Sequence, residues 1–555
     1  MSASDANNAS TGGYTLPTYP FRVPPEIEAR AERRRYPVVI VGAGLAGLTL
    51  ACDLATRGIN TVVLDEDDTI GVRGASSRGI VYARKSLEVF RRLGIFDRIR
   101  AKGARWFVGR TLVNDDIVYE FDMSTVTSSE QPAFLNLQQF YIEWFLVDRI
   151  EALGRTDLRW KNRVVRAVQA ADHVKVDVET PAGPYTLEAE WLIDASGLAS
   201  AIREGFGLDT HSSKSTEDRW CITDVRFTKD LPQERWTWVE GASNEGRAIW
   251  QHPMADGVWR LDFQMAPNSD PAYVSHPDVA RDRLRRHLGE GVEFELVWVG
   301  PYQYRAHLLD EFRHGRVFFI GDAAHVVSPF GARGGNTGIQ DAENLAWKLA
   351  LFLSGQAPER LLDTYSQERR AAAVENLEVT SRTARFLAPR SEGERTLRAA
   401  ALALARKYPF ARALINTGRL SAAHTYSSST LVTSGGQCVQ NVPIILADGK
   451  RACLIDLVSG TPCVFLALWS PSRTANASVV TGLRSLEADF PIKLLAVGTH
   501  PMVNSIRDAD GTLARELRLE PGFVVLIRPD LHVAGVFAEG DLPALQAAAT
   551  RTLGR

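Results

Sequence analysis

From Tyr36 onward, unbroken apolar runs and amphipathic stretches alternate along the chain and read as strands and helices in turn. PVVIV (37–41) is apolar throughout, the mark of a strand covered on both faces. It runs into the turn Gly42-Ala43-Gly44-Leu45-Ala46-Gly47 and a helical stretch, and TVVLDED (61–67) supplies a second buried strand. Short strands follow within 157–203 (RVVRAVQ, VKVDVET, YTLEAEWLIDASG). Residues 217–305 alternate apolar and polar positions and hold many tryptophans, as a large sheet with two different faces would. The buried strand RVFFIGDAAH comes next, then helical segments at roughly 338–354, 359–388 and 394–412. Turn residues in TLVTSGGQCVQN (430–441) mark a linker. Beyond it ACLIDLV, CVFLALW, IKLLAVG and FVVLIRP read as buried strands between helices, so 440–555 is expected to be a separate α/β domain. Residues 1–35, rich in Ser, Asn, Gly and Pro, read as a flexible N-terminal arm.

Composition narrows the class. At 555 residues the chain exceeds one hydrophobic core, and 45% hydrophobic with 23% charged residues are ordinary globular values. A net charge of -2 without a long basic run excludes a nucleic-acid partner, and RAERRR (30–35) reads as a solvated edge. The five cysteines (52, 221, 438, 453 and 463) form neither CxxC nor metal-ligand spacing, so reduced thiols and no metal are expected. No apolar run reaches 18 residues and no signal pattern opens the chain, so no membrane association and a cytoplasmic location are expected.

The turn after the first strand carries the chemistry. Gly42 permits the tight bend, Gly44 lets backbone N–H groups approach a pyrophosphate, and Gly47 lets helix and strand pack closely. The helix N-terminus then faces the phosphates with its positive end. Asp65 ends the next strand, 18 residues after Gly47, where a carboxylate can accept ribose hydroxyls. This unit alone suits FAD or NAD.

The stretch GRVFFIGDAAHVVSPFGARGGNTGIQDAENLAWKLA (315–350) resembles the second flavin motif of class A FAD-dependent aromatic hydroxylases. The resemblance implies FAD as cofactor, with Asp322 on the ribitol chain and Pro329 beside the isoalloxazine. It also implies a glycine-rich turn from Gly331 to Gly338, including Gly334 and Asn336, approaching the flavin closely. SSRGIVYARKSLEVFRRLG (76–94) and NLQQFYIEWFLVDRI (136–150) are similar to two further family segments, which implies cofactor contacts from Arg78 and Gln139. Larger members, the phenol and polyketide hydroxylases, carry a C-terminal thioredoxin-like domain without CxxC, and 440–555 fits it.

The fold expected is therefore α/β: a Rossmann-type FAD-binding domain (36–216 and 306–430), an inserted mainly-β substrate-binding domain (217–305) and a C-terminal thioredoxin-like domain (440–555). A homodimer is expected from the family. The resemblance implies that NAD(P)H as co-substrate reduces FAD, that O2 adds at flavin C4a, and that the hydroperoxide hydroxylates a small electron-rich aromatic substrate, phenolic or aminoaromatic. A base or hydrogen-bond acceptor should help remove a phenolic proton.

Two features depart from the family. In WLIDASGLASAIR (191–203) Gly197, Ser200 and Arg203 match, but Ser196 stands where the family has an aspartate that serves flavin and nicotinamide. That role is not transferred to Asp194. DASG is also similar to flavin-dependent halogenases and geranylgeranyl-reductase-like flavoproteins, so a halogenase or another FAD oxidoreductase is the alternative, with a non-catalytic flavin-binding protein behind it. Trp236-Thr237-Trp238-Val239-Glu240 lacks the halogenase Ile-Pro, and Lys85 sits in no matching motif. Catalytic candidates are His252, Arg260 and Tyr302, with Gln251 and Tyr304 as further pocket candidates. His252 is either a pocket residue or a strand end, Arg260 either a substrate anchor or a cross-strand ion pair, and His325 either a proton relay or a turn cap.

Overall fold

The computed structural model describes residues 8–11, 14–28, 34–71, 79–124, 129–208, 219–303, 306–417, 420–460 and 463–555. In chain order, β1 (Arg35–Val41), α1 (Leu45–Thr56) and β2 (Thr61–Leu64) form the first unit, followed by α2 (Arg84–Leu93), β3 (Val108–Val113) and β4 (Asp116–Asp122). Then come α3 (Gln139–Leu153), β5 (Thr156–Arg159), β6 (Arg163–Gln169), β7 (Val174–Glu179) and β8 (Tyr185–Asp194). A run of antiparallel strands follows: β9 (Arg219–Phe227), β10 (Arg235–Gly241), β11 (Arg247–Pro253) and β12 (Val258–Gln264). After it lie α4 (Pro277–Leu288), β13 (Phe294–Gln303), β14 (Arg313–His314), β15 (Val317–Phe319) and the helices α5 (Arg333–Leu353), α6 (Arg360–Leu387) and α7 (Glu392–Lys407). The C-terminal part holds β16 (Pro443–Leu446), β17 (Arg451–Cys453), β18 (Phe465–Ser470), α8 (Ala477–Asp489), β19 (Ile492–Val497), β20 (Ser505–Arg507), β21 (Phe523–Ile527), β22 (Val533–Ala538) and α9 (Leu542–Thr552).

Three large sheets result among the described residues, beside three two-stranded ones. The first has the order β6-β7-β8-β1-β2-β5, and β15 joins it parallel to the end of β8 with β14 beside it. Its parallel centre is apolar because helices cover it; Val38, Val39, Ile40, Val63 and Ile193 are fully buried. Strands β1, β8 and β15 all point their C-terminal ends toward the same edge, where the glycine turn and Asp322 follow. The second sheet has the order β13-β9-β12-β11-β10-β3-β4. Two of its strands, at 108–122, lie outside the 217–305 segment from which the sequence suggested it. The turn Asn114, at φ 53°, pairs β3 with β4 locally, and β3 then adds parallel to β10.

The third sheet, β17-β16-β20-β19-β18-β21-β22, belongs to the C-terminal part. It is fastened to the long helices by buried charges. Arg528, just after β21, donates to Glu368 on α6 at 2.5 and 2.9 Å and to Asp530 at 2.5 and 3.0 Å. Lys348 on α5 reaches the same Glu368 at 2.8 Å, and the Trp347 indole N–H donates to Asp530 at 3.2 Å.

The segment before Arg35 differs from the expected flexible arm over residues 14–28, which are packed on the first domain. Tyr14 and Leu16 are buried, Tyr14 tilts against Phe140 at 4.9 Å, and Glu26 is paired with Arg159 at 3.0 Å. Serine and proline content suggested weak burial, but the few apolar residues fall where they cover α3.

Candidate active site

A cavity of about 860 Å3 runs between the first and second sheets. One end is lined by Gly42, Gly44, Asp65 and Arg163, the middle by Gln139, Ser196, Asp322, Pro329 and Gly334, and the far end by Trp250, His252 and Tyr302. Such a size suits a cofactor-sized ligand.

The three glycines are needed for three different reasons. Gly42 has φ +104°, and a Cβ there would lie 2.5 Å from the Ala195 carbonyl oxygen. At Gly47 a Cβ would lie 2.0 Å from the Gly42 oxygen, so α1 can sit this close to β1 only without a side chain. A Cβ at Gly44 would meet nothing within 4 Å; its open side is the cavity itself. Asp65 braces the turn, accepting the Ala43 N–H at 2.5 Å and the Asp67 N–H at 2.8 Å. Burial pushes its carboxyl up to about 6 despite these donors.

Gln139 accepts the Gly79 N–H at 3.1 Å and donates to Glu143 at 2.8 Å, so it orders the cavity wall through its neighbours. Glu143, which also accepts the Gly71 N–H at 2.8 Å, is buried and pushed up to about 7. A carboxyl raised in the folded protein stabilises it below the unfolded value of 4.5 and loses that contribution as pH rises through about 7. In the apoprotein, Glu143→Gln should therefore gain stability relative to the parent between pH 5 and pH 8, by up to about 3 kcal/mol. Thermal melts at those pH values check this.

Past β15, Gly321 takes φ +58° and Asp322 emerges exposed into the cavity, with Pro329 half-buried beyond it. Gly331 (φ +80°) and Ala332 (φ 55°) are both left-handed, which turns the chain so that α5 starts at the cavity wall. A Cβ at Gly334 would meet only Val327, at 3.9 Å, so the wall is open there, while a Cβ at Gly338 would lie 3.4 Å from the Ala46 Cβ and the Gly321 Cα, where α5 packs on α1. Asn336 is spent on the protein: it donates to Val81 and Ala332 carbonyls at 2.8 and 2.6 Å and accepts from Ala83 N–H and Ser86 at 2.9 and 2.6 Å. It lines the cavity as a clamp whose hydrogen bonds are already made. Arg78 lies outside the described residues.

Ser196 faces the cavity, and its hydroxyl donates to Asp194 at 2.5 Å. Asp194 also takes the Ser196 N–H at 3.0 Å and the Ser200 hydroxyl, so it closes the turn from beneath. Arg203 ties that turn to the Ala323 carbonyl at 3.0 Å.

At the far end Arg260 forms the cross-strand pair, donating to Asp224 at 2.8 and 2.9 Å while its side chain still lines the cavity. His252 is a cavity residue, not a surface strand end: it is 4% exposed. Burial, then the nearby Arg235 and Arg260 guanidiniums, push its imidazole well below its ordinary value, so it is neutral. Tyr302 lines the same end. Gln251 is corrected: it alternates with Trp250 and His252 and so points to the other face of β11. Tyr304 lies outside the described residues. His325 caps rather than relays, donating from Nε2 to Asp341 at 2.7 Å, which also accepts Arg369 at 2.6 Å and the Gly321 N–H at 3.1 Å. Trp236 and Trp238 also lie on the face away from the cavity, with Trp238 against His287 at 4.6 Å, so they offer a halogenase-type site nothing. Sequence reading missed Arg235 and Asp262, which line the far end. Strand alternation pairs Asp262 with Arg260 on one face, and that spacing was the available signal.

These residues fit FAD: an open glycine turn at a helix start, a half-buried carboxylate (Asp65) and an exposed one (Asp322) for the two sugar chains, and a second helix start opposite small residues. Comparison with known proteins agrees. Residues 35–380 match the family model described as FAD binding domain. A flavin-dependent monooxygenase of Mycobacteroides abscessus is 34% identical over 354 residues, covering 61% of this chain and 72% of that protein. A 3-(3-hydroxy-phenyl)propionate/3-hydroxycinnamic acid hydroxylase of Mycolicibacterium smegmatis is 25% identical and covers 92% of each chain. The crystal structure of the flavin-dependent monooxygenase PieE in complex with FAD and substrate superposes with a TM-score of 0.78, at 22% identity, over 94% of this chain and 100% of that one. The chain belongs to the FAD binding domain family and is an FAD-dependent monooxygenase of the aromatic-hydroxylase group.

Proposed function

We propose that the protein hydroxylates an electron-rich, phenolic substrate, using NAD(P)H and O2 with FAD. The observation that carries this reading is the far end of the cavity, where aromatic Trp250 and Tyr302 stand among ionisable groups opposite the flavin-motif residues. The M. smegmatis relative, a hydroxyphenylpropionate hydroxylase that aligns over most of both chains, supports the same substrate class. FAD, when bound, supplies the reduction and oxygen chemistry.

The chain's own residues bind, orient and keep water out. With FAD bound, Asp65 would take the ribose hydroxyls, the Gly42–Gly47 turn and the start of α1 the pyrophosphate, and Asp322 the ribitol hydroxyls. The start of α5, with Gly334 and Pro329, would border the ring. The two sheets and the α5 turn flank the far end of the cavity and would limit the access of water to a flavin held there. The C-terminal part is read as thioredoxin-like in arrangement and structural in role: it has no CxxC, and its buried Arg528 and Asp530 are spent on α6 and α5.

Asp322→Ala should weaken FAD binding by about tenfold to a hundredfold, the worth of one to two hydrogen bonds to a charged acceptor. Because Asp322 is exposed, apoprotein stability should stay within about 0.5 kcal/mol. Fluorescence titration of the apoprotein with FAD checks both halves alongside a melt. The function itself is tested by anaerobic stopped-flow reduction with NADH and with NADPH, each with and without 3-(3-hydroxyphenyl)propionate and 1,8-dihydroxyanthraquinone. Faster flavin bleaching with a phenol bound is expected. Failure of both nicotinamides with every phenol overturns the reading.

A further inference from the structure

The cavity face of the second sheet presents two rows of side chains. Arg235 comes level with His252, one residue before the Trp236–Gln251 pair, and the row continues through Arg260 to Asp224. The next row is Thr237, Trp250, Asp262 and Ile222. Arg260 and Asp224 are closed on each other, as their two hydrogen bonds show. Arg235 and Asp262 are not. Arg235 is 6% exposed and makes no hydrogen bond or ion pair among the described residues; its guanidinium carbon lies 5.8 Å from the centre of the Trp250 ring. Asp262 Oδ1 is buried without a hydrogen-bond partner, as is His252 Nδ1. A cation and a carboxylate left without hydrogen bonds at the wall of a cavity call for a ligand that satisfies both.

Resting on the phenol-hydroxylase reading above, we propose that Asp262 accepts the hydroxyl proton of the bound phenol while Arg235 holds the oxygen that becomes negative. The phenolic O–H bond breaks, an O–H bond forms on the Asp262 carboxylate, and the negative charge passes to the phenolate oxygen beside Arg235. Charge and protons balance without any other reactant. The ring gains electron density, which suits attack by an electrophilic oxygen. Trp250, between the two groups, offers a flat surface to the ring.

The surroundings support this assignment over His252. Asp262 is flanked by Arg260 on its own strand, Asp224 from β9, His252 from β11, Arg235 from β10 and Tyr302 from β13. Burial pushes its carboxyl up to about 7, nearer to a phenol than an ordinary aspartate is. Burial also pulls Arg235 down to about 10, with the charge of Asp262 acting against it. His252 would have to take its proton between two guanidiniums, which disfavours it as the base.

The test uses purified, FAD-loaded protein and two probes: 3-methylphenol, neutral below pH 9, and 4-nitrophenol, held at pH 8 as its anion. Binding is read from flavin and nitrophenolate absorbance. Affinity for 3-methylphenol should rise at least fivefold from pH 6 to pH 9 in the parent and stay flat in Asp262→Asn. Nitrophenolate binding should weaken at least tenfold in Arg235→Met, with FAD content unchanged in both variants. A flat pH profile in the parent, a retained rise in Asp262→Asn, undiminished nitrophenolate binding in Arg235→Met, or no binding of either probe by the parent overturns the assignment. Binding as expected without hydroxylated product from any phenol overturns the proposed function and leaves the pair standing.

Discussion

Gly44→Val should fold with the parent's apoprotein melting temperature yet lose most of its affinity for FAD. A Cβ at this position meets no protein atom within 4 Å, and the backbone is ordinary at φ -82°, so the fold has no reason to object. The added methyl groups instead enter the space through which the N–H groups at the start of α1 reach the pyrophosphate. Overfilling a close contact costs up to about 3 kcal/mol, roughly a hundredfold in dissociation constant. Gly47→Val is the contrasting variant. Its Cβ would fall 2.0 Å from the Gly42 oxygen and 3.2 Å from the Ala195 Cβ, so α1 must move off β1. Stability and flavin binding should then fall together. FAD titration followed by fluorescence, with circular-dichroism melts of both apoproteins, separates the two outcomes. Equal loss of stability in both variants contradicts the assignment of Gly44's open side to the cofactor.

The second large effect lies far from the flavin site. Arg528→Met should destabilise the protein by about 3–5 kcal/mol, because removing one partner leaves buried carboxylates uncompensated. Arg528, Glu368 and Asp530 are each 3% exposed or less. Lys348 remains on Glu368, but Asp530 keeps only weaker donors, including the Trp347 indole N–H. Since α5 begins at the cavity wall and carries Lys348 and Trp347, loosening this joint should also lower the temperature at which FAD is released. The double variant Arg528→Met/Asp530→Asn should recover part of the loss, as the carboxylate left without its guanidinium is gone. Calorimetry with simultaneous flavin fluorescence checks both, and a single variant within about 0.5 kcal/mol of the parent contradicts the bracing role.

Legibility followed the range of the interactions. The β1–α1 turn and Asp65 were readable because their chemistry is local: the 29 residues from 37 to 65 carry the strand, turn, helix start and acid. Asp322, Pro329 and the turn into α5 were readable as one continuous stretch. Asn336 was read as a cofactor contact from the same stretch, but its amide clamps residues 81–86, roughly 250 positions earlier, which local pattern does not reveal. Gln251 and Asp262 fail in complementary ways. Each sits in an alternating strand, and alternation gives two faces without saying which one meets the cavity. Once His252 is on that face, register places Asp262 there and Gln251 behind it. Strands β3 and β4 joined the second sheet from a distant part of the chain, and Arg528 met Glu368 across 160 residues. Neither contact leaves a periodic trace.

The central claim, oxygen transfer to a phenol by this flavin site, is tested most directly by isotope. Purified FAD-loaded protein is incubated with NADPH or NADH, 18O2 and a panel of phenols that includes 3-(3-hydroxyphenyl)propionate and 1,8-dihydroxyanthraquinone, and the products are weighed by mass spectrometry. A product carrying one added 18O atom, formed with consumption of one nicotinamide, is the predicted result. Nicotinamide consumption yielding only hydrogen peroxide with every phenol, or oxygen taken from water, would contradict it.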